Sequence, residues 1–585
     1  MVHKTTNHDG LTSAEPPVRH YNQYTLLVSI GLSLSFLAYG YTGAVIGTVG
    51  GQPSFLQYMN LITASNATQL FGATNGLYYA GGVFGTIYAS YAADRWGRKN
   101  ASVQAQVGLV IAQAIQTGSV HIAMFIVGRF IAGFASVSSP ETFILVRWFS
   151  TCPIWLSAKV DAESALDRRG QIYVQEMKAD SLGISVCSGY ITLCVTPMWL
   201  SELVPPRQRG TLMQIIAITL GLGYVAANWI GYGFSFYTGK VLAFRPILAL
   251  GMVVPVICII LFIWLPESPR WLIMKDRHPE AHALLRRLHR SPVDKDDSFA
   301  DVEYYQISRQ AAVDANLDLS WKSMISTRPM TLRTAFGIVW PAMTATSGVN
   351  VVVNYGPLLY SLLGFSSDKQ LIYQGGWATL NWGGNVIGIF IIDRFNRPGY
   401  SITGFVGVTC CLLVEAIIVA TSLDNGTDSV LRLGVASIFL FGAFFGCFID
   451  GLLFTWVGEV FPTPYRAKGY TIALATQALF NIIWTEAAPT AFANIKWGYY
   501  IVFIVLNAIS VVVIWLFFPN TRGLALEEVG AIFGDGDRIA VYQRDIDLST
   551  LQTEVAVIDK EHGFTGKELR VEAQHIEATE EKTSG

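Results

Sequence analysis

Charge is scarce in this chain of 585 residues. Only 14 % of them are Asp, Glu, Lys or Arg, against about 25 % in soluble globular proteins, too few to cover a water-exposed surface of this size. Neither sign is in excess, since 40 Lys and Arg oppose 42 Asp and Glu for a formal charge of −2, and so no electrostatic footprint for nucleic acid exists. The 7 cysteines are odd in number, scattered and mostly inside apolar runs (Cys194, Cys258, Cys410, Cys411, Cys447). They specify neither a disulfide framework nor a zinc site. The phosphate-cradling pattern G-x-x-x-x-G-K-[ST] is missing, which removes an ATP-driven pump. No nucleophile–base pair or metal cluster is legible, so an enzyme is disfavoured and no cofactor is implied. What remains is oil: 52 % hydrophobic residues and a mean hydropathy of +0.40. The composition points to a multi-pass membrane protein.

A span needs roughly 20 mostly apolar residues to cross about 30 Å of hydrocarbon. The runs of that kind are Tyr24–Gly47, Gly72–Ala93, Ala101–Ser119, Thr211–Tyr232, Leu242–Leu265, Thr331–Leu358, Leu371–Ile392, Gly399–Ser422, Leu431–Val457, Ala467–Thr490 and Gly498–Pro519. One more is divided between Ile122–Ser136 and Gly189–Leu200; joined, these fragments make span 4 of twelve. The runs are continuously apolar and lack the alternation of barrel strands, so they read as helices. The expected class is an all-α membrane protein of twelve spans in two six-helix bundles.

Positive charge orients the spans. Arg95, Arg98 and Lys99 follow span 2, Arg207 and Arg209 span 4, Arg394 and Arg397 span 8, and Arg466 and Lys468 span 10. The segment after span 6 adds Arg270, Lys275, Arg277, Arg286, Arg287 and Arg290. The opposite side offers only Lys240, Lys369, Arg432 and Lys496, with Arg245 near a boundary. The positive-inside rule then places both termini in the cytoplasm and makes Asn66 and Asn425, each in an Asn-x-Thr triplet, glycosylation acceptors outside. The polar segment 1–23 has no cleavable-signal pattern. The expected parts are this segment, a first bundle over 24–265, cytoplasmic linker helices over 266–330, a second bundle over 331–519, and a charged, soluble cytoplasmic tail over 520–585.

The two halves echo each other. Asp94-Arg-Trp-Gly-Arg-Lys99 is matched by Asp393-Arg-Phe-Asn-Arg397, Glu202…Arg209-Gly210 by Glu459…Arg466-Ala-Lys-Gly469, and Pro266-Glu-Ser-Pro-Arg270 by Pro519-Asn-Thr-Arg-Gly523. Two of the three separations agree closely, and the first is longer by roughly 40 to 50 residues. The excess falls within span 4. There Val137–Ser188 carries Glu141, Arg147, Lys159, Asp161, Glu163, Asp167, Arg168, Arg169, Glu176, Lys178 and Asp180, and each charge at a bilayer centre costs about 2.5–3.5 kcal/mol even on lenient scales. This stretch cannot continue a helix. Its removal joins GRFIAGFAS to YITLCVTPMWLSE, and 137–188 is read as an aberrant insertion such as a retained intron.

With these paired signatures the chain resembles the sugar-porter family of the major facilitator superfamily, of the fungal sugar and polyol type. The resemblance runs from about Tyr39 to Phe533 outside the insertion. It rests on DRWGRK (94–99), GRF…PMWLSE…RQRG (128–210), PESPRWL (266–272), SGVN (347–350), GEVFP…R (458–466) and PNTRG…LEE (519–528). It implies alternating access, with Asp94, Arg95, Arg98, Glu202, Arg209, Glu267, Asp393, Arg394, Glu459 and Arg466 closing the cytoplasmic gate. It also implies a helix bundle over 280–319 acting as a latch. A solute site at mid-membrane would draw on Asn350, Asn381 and Asn481, with Phe454 where many members have Trp, Trp456 nearby and Asn354 as an added amide. Each of these has a structural alternative as a helix-bridging amide or a packing ring.

The departures bear on substrate and energetics. Ala217, Pro341, Thr344 and Ala345 stand where the family has Gln, so a disaccharide, a polyol or a cyclic acid such as quinate competes with hexose. Thr42 follows Gly40-Tyr41 where proton-coupled members carry Asp, and Arg129, which resembles that Asp's partner, is left without it. The reading is facilitated diffusion, or coupling through another intramembrane acid, with Asp450 ahead of Glu415 and Glu486. A transporter-like nutrient sensor that binds without transporting is the rival from another class. The partners expected are a small solute and the bilayer, and the location is the plasma membrane.

Overall fold

A computed structural model describes the chain from 22 to 558, save 62–66, 134–188, 237–243, 423–427 and several shorter breaks. Asn66, Asn425 and the segment 137–188 therefore lie outside the described residues. Among the described residues there are helices and no strand, and twelve spans can be followed.

Spans 1 to 3 are Gln23–Gly50, Ala67–Trp96 and Arg98–Thr117. Span 4 is made of Ile122–Gly133 and Gly189–Leu203, span 5 is Arg209–Ser235, and span 6 is Phe244–Leu250 with Val253–Phe262. The second half repeats the pattern. Span 7 is Arg328–Ala345 with Val349–Leu362, and spans 8 and 9 are Ser367–Ile391 and Arg397–Ser422. Span 10 is Asp428–Phe445 and Gly451–Val460 joined by a π-helical turn, Gly446–Asp450, and spans 11 and 12 are Arg466–Ile495 and Gly498–Phe517.

By length and hydropathy alone, 7 helices of the described chain qualify as membrane-crossing; spans 2, 3, 8 and 11 do not, and neither does span 4, whose two described pieces are each too short. Spans 2, 3, 8 and 11 hold polar residues on buried faces, among them Asn75, Gln106, Gln113, Asn381, Asn385 and Asn481. A helix shielded from lipid by its neighbours need not be oily on every side.

The two pieces of span 4 meet end to end. A Cβ built on Gly189 would lie 3.2 Å from the Ala132 carbonyl oxygen, and both pieces pack on spans 2 and 3. Span 7 breaks where Gly348 takes φ +93°, a conformation that costs other residues a Cβ clash.

The halves touch mainly through spans 2 against 11 and 5 against 8. Within the first half, spans 1 and 5 approach until their backbones nearly touch. A Cβ on Gly40 would lie 2.3 Å from the Leu220 oxygen, and one on Gly223 2.5 Å from the Leu37 oxygen. Backbone cannot yield as a side chain can, so Gly40→Val is expected to destabilise the fold by at least about 1–3 kcal/mol. Its melting temperature in detergent should drop clearly below that of the unaltered protein.

Between the halves lie the helices Pro269–Met274, His278–His289 and Ser298–Asp314. Ser268 caps the first, accepting from the Trp271 N–H. Buried Asp301 ties two of them together, taking hydrogen bonds from His282 Nε2 (2.8 Å) and from Arg286 Nε and Nη2 (2.9 and 3.0 Å). Burial alone would raise its pKa, but the His282 and Arg286 hydrogen bonds prevail and hold it at about 2. A carboxyl depressed in the folded state stabilises above its unfolded value, near 4, and loses that contribution as pH falls through 2. Asp301→Asn should therefore loosen the bundle at neutral pH, seen as faster amide exchange over His278–Asp314.

The described part of the tail packs against this bundle and span 7. Arg333 at the start of span 7 pairs with Asp535 at 2.8 Å. Gln306 Nε2 donates to the Val541 carbonyl, and Leu551, Val555 and Ile558 join Leu272, Leu285 and Tyr304 in the bundle's apolar core. Its sequence lacks a span but not apolar side chains.

Candidate functional site

The charged ends of spans 2, 4, 8 and 10 build two copies of one network. In the first, Arg98 Nε donates to Glu202 Oε2 at 3.1 Å, and Arg98 Nη1 bonds the Ala93 carbonyl. Ser268 Oγ also donates to Glu202. Glu267 Oε1 accepts from the Arg98 N–H at 3.0 Å. In the second, Arg397 Nη2 donates to Glu459 Oε1 at 3.2 Å, and Arg397 Nη1 bonds the Ile392 carbonyl. Thr521 Oγ1 donates to Glu459 at 2.6 Å, and Asn520 Oδ1 accepts from the Arg397 N–H. Each guanidinium is also near an acid four residues earlier, Asp94 at 3.7 Å and Asp393 at 3.2 Å.

Contacts between the halves are less symmetric. Arg466 Nη1 reaches across to Glu202 Oε1 at 3.1 Å. Its counterpart Arg209 donates instead to the Leu524 carbonyl. Asp393 closes that side by accepting from the Thr211 N–H and hydroxyl at 2.6 and 2.7 Å. Arg95 and Arg394 are exposed at the surface, apart from these networks. The buried position in the second half belongs to Arg397, which sequence reasoning passed over. The signal was the repeat itself, in which Arg98 aligns with Arg397.

Deeper along the axis, a small cavity of about 50 Å³ opens between the halves. It is lined by Asn350, Asn381 and Asn481, and by Phe454, Gln477 and Asp450. Tyr39 and Tyr224 face it from spans 1 and 5. Asn350 Nδ2 donates to Asn481 Oδ1 at 2.7 Å, while Asn381 Nδ2 bonds the Gly442 carbonyl and leaves Oδ1 unpartnered. Small-molecule pockets span about 300–1,000 Å³, so this cavity has room for water and must widen to admit a solute.

Asn354 and Trp456 are not among the cavity's lining. Asn354 Nδ2 donates to the Tyr79 hydroxyl and to the Asn350 carbonyl, one step behind Asn350. Trp456 packs against Phe336, Trp340 and Phe518. Span 10 turns Phe454 and Trp456 to different faces, as residues two apart on a helix must be. Sequence reasoning missed Tyr39, Tyr224 and Gln477; nothing in hydropathy separates a cavity-lining tyrosine from a packed one.

Arg129 and Asp450 lie apart in the structure. The guanidinium of Arg129 is buried, donates to the Thr42 carbonyl at 2.8 Å and sits 4.2 Å from the Tyr78 ring centre. No carboxylate pairs with it among the described residues. Asp450 Oδ2 accepts from Asn385 Nδ2 at 3.1 Å. Glu415 is buried beside Ser437, which donates to it at 2.7 Å, and Glu486 lies against Gly72 and Gly76 of span 2.

Known proteins are similar to this chain in sequence and in fold. The profile of the family described as sugar (and other) transporters matches residues 28–138 and 182–533, skipping 139–181. The MFS-type transporter criB of Aspergillus cristatus is 26 % identical over 519 residues, covering 88 % of this chain and 95 % of that one. A high-affinity glucose transporter of Kluyveromyces lactis is 28 % identical over 359 residues, 58 % of this chain and 64 % of its own. Among solved structures, the proton:xylose symporter XylE superposes with a TM-score of 0.68 at 20 % identity, covering 88 % of this chain and all of that one. Two six-span halves, a doubled charged network and a match across most of the sequence lead to one conclusion. The chain belongs to the sugar (and other) transporter family, the sugar porters of the major facilitator superfamily, and is a multi-pass membrane transporter rather than an enzyme.

Proposed function

We propose that this transporter carries a neutral, sugar-like solute across the plasma membrane by alternating access, with both termini in the cytoplasm. The observation that carries the reading is the cavity between the halves, lined by Asn350, Asn381 and Asn481 beside Phe454 and Tyr39. Amides offer donor and acceptor together, as hydroxyl groups exchanging water for protein require, and aromatic rings suit the apolar faces of a sugar. Glu202, Arg466, Asp393 and Thr211 hold the charged ends together, and must part when the cavity opens on that side. With Thr42 following Gly40-Tyr41, span 1 carries no Asp or Glu, so any proton dependence has to enter through a carboxylate of another span.

Uptake of radiolabelled hexoses, pentoses, polyols and quinate into hexose-transport-null cells tests the reading. Saturable entry of a neutral member of the panel is expected. Surface-delivered protein that binds a solute but moves none would establish a sensor instead. A tag at either terminus reached by antibody only after permeabilisation supports the orientation, and one reached in intact cells refutes it. The abutting ends of span 4 support a functional chain without 137–188. Transcript reads crossing from Ser136 to Gly189 with no junction gap would refute that.

A further inference from the structure

Asp450 is a buried carboxylate facing the central cavity with no cation beside it. The cavity's lining includes no Lys, Arg or His, and no ion pair involves Asp450 among the described residues. Its one side-chain partner is Asn385 of span 8. Other titratable groups facing this region are Tyr224 from span 5, Tyr39 from span 1 and Tyr400 from span 9, whose hydroxyl donates to the Cys447 carbonyl. Spans 8 and 11 present amides (Asn381, Gln477, Asn481). The residue ends the π-helical turn Gly446–Asp450, a distortion that re-aims side chains and is frequent at functional sites.

Asn385 leads from the cavity to the other half. Its Oδ1 and its carbonyl accept from Gln214 Nε2 of span 5 at 3.2 and 3.3 Å. Gln214 is seated in a slot that glycines create. A Cβ on Gly451 would lie 1.7 Å from its Oε1, and one on Gly388 2.9 Å from its Nε2. A continuous line of side chains thus joins the cavity carboxylate to a polar contact between the halves.

We propose that Asp450 is the carboxylate that takes up a transported proton, replacing the acid missing from span 1, and that Asn385 and Gln214 pass its charge state to the interface between the halves. The inference rests on the transport reading above. An ionised carboxylate without a counter-charge is costly in this setting. A proton entering from outside forms an Oδ–H bond at Asp450 and neutralises it. Asn385 Nδ2 then faces a weaker acceptor, and the amide is freed to reorient and release Gln214 from its slot. On the cytoplasmic side the O–H bond breaks and the proton leaves to water. With a neutral solute, one positive charge crosses per cycle.

The test uses the full-length protein in hexose-transport-null cells, with D-glucose and the other labelled solutes named above, and surface amounts measured by tag. Uptake by the unaltered protein should rise about three- to tenfold from pH 7.5 to 5.5, within what one titrating group allows, and collapse with protonophore. Asp450→Asn should abolish the pH response of whatever uptake remains. Asp450→Glu should restore the response with a displaced midpoint. Gln214→Ala should keep the response to pH but lose accumulation against a gradient. Uptake by the unaltered protein that ignores pH and protonophore overturns the inference and leaves the transport reading standing. An unchanged pH response in Asp450→Asn overturns it too. If Asp450→Asn does not reach the surface, an Asp450→Glu profile identical to the unaltered one also overturns it. Absence of any uptake by the surface-delivered unaltered protein refutes the transport reading itself.

Discussion

Glu202→Gln is expected to cost roughly 3–5 kcal/mol of stability, the usual penalty for removing one partner of a buried ion pair. Glu202 is buried and receives Arg98, Arg466 and the Ser268 hydroxyl, and the neutral amide would leave two buried guanidiniums sharing one side chain without charge. A much lower melting temperature and near-complete loss of uptake should follow. The two arginines should separate by substitution. Arg98 binds Glu202 within one half, so Arg98→Ala should behave much like Glu202→Gln. Arg466 binds it across the halves, through a contact that must break in every cycle of alternating access. Arg466→Ala should therefore melt closer to the unaltered protein, while a cysteine placed in the cavity becomes more reactive from the charged side. Equal melting losses for Arg98→Ala and Arg466→Ala would show that the crossing contact is structural and not a gate.

The second large effect belongs to the amide pair. Asn350 and Asn481 come from spans 7 and 11 and hydrogen-bond at 2.7 Å beside the cavity. Asn350→Ala strands Asn481 Oδ1 and removes one polar group from the solute's surroundings. A solute hydroxyl left buried without the partner Asn350 supplied costs about 1–3 kcal/mol, which corresponds to roughly a 5- to 150-fold fall in kcat/KM. Most of it should appear in KM. Trp456→Phe is the contrast, since Trp456 packs against Trp340 and Phe518 away from the cavity. It should lower the melting temperature and leave KM unchanged. A KM shift for Trp456→Phe equal to that for Asn350→Ala would refute the placement of the site.

How much of this was legible in the chain follows from what is local and what is not. Apolar run length is a local property, so the spans could be read residue by residue, and the repeat of Asp94–Lys99 at Asp393–Arg397 announced two related halves. The same repeat sets Arg397 opposite Arg98, although Arg394 and not Arg397 is among the residues expected at the gate; which of the two turns inward depends on packing. The structure buries Arg397 against Glu459 and exposes Arg394.

Asn350, Asn381 and Asn481 are positions that the family resemblance implies, and the structure sets all three on one cavity. Whether such a group meets a cavity or another helix depends on the rotation of each span, set by packing against partners hundreds of residues away. Tertiary contact therefore decided that Asn354 stands behind Asn350 and that Trp456 belongs to packing. It also decided that Arg129 rests on Tyr78 and the Thr42 carbonyl. The route from Asp450 through Asn385 to Gln214 was invisible for the same reason. It unites spans 10, 8 and 5, which no periodicity connects, in a slot that two glycines leave open.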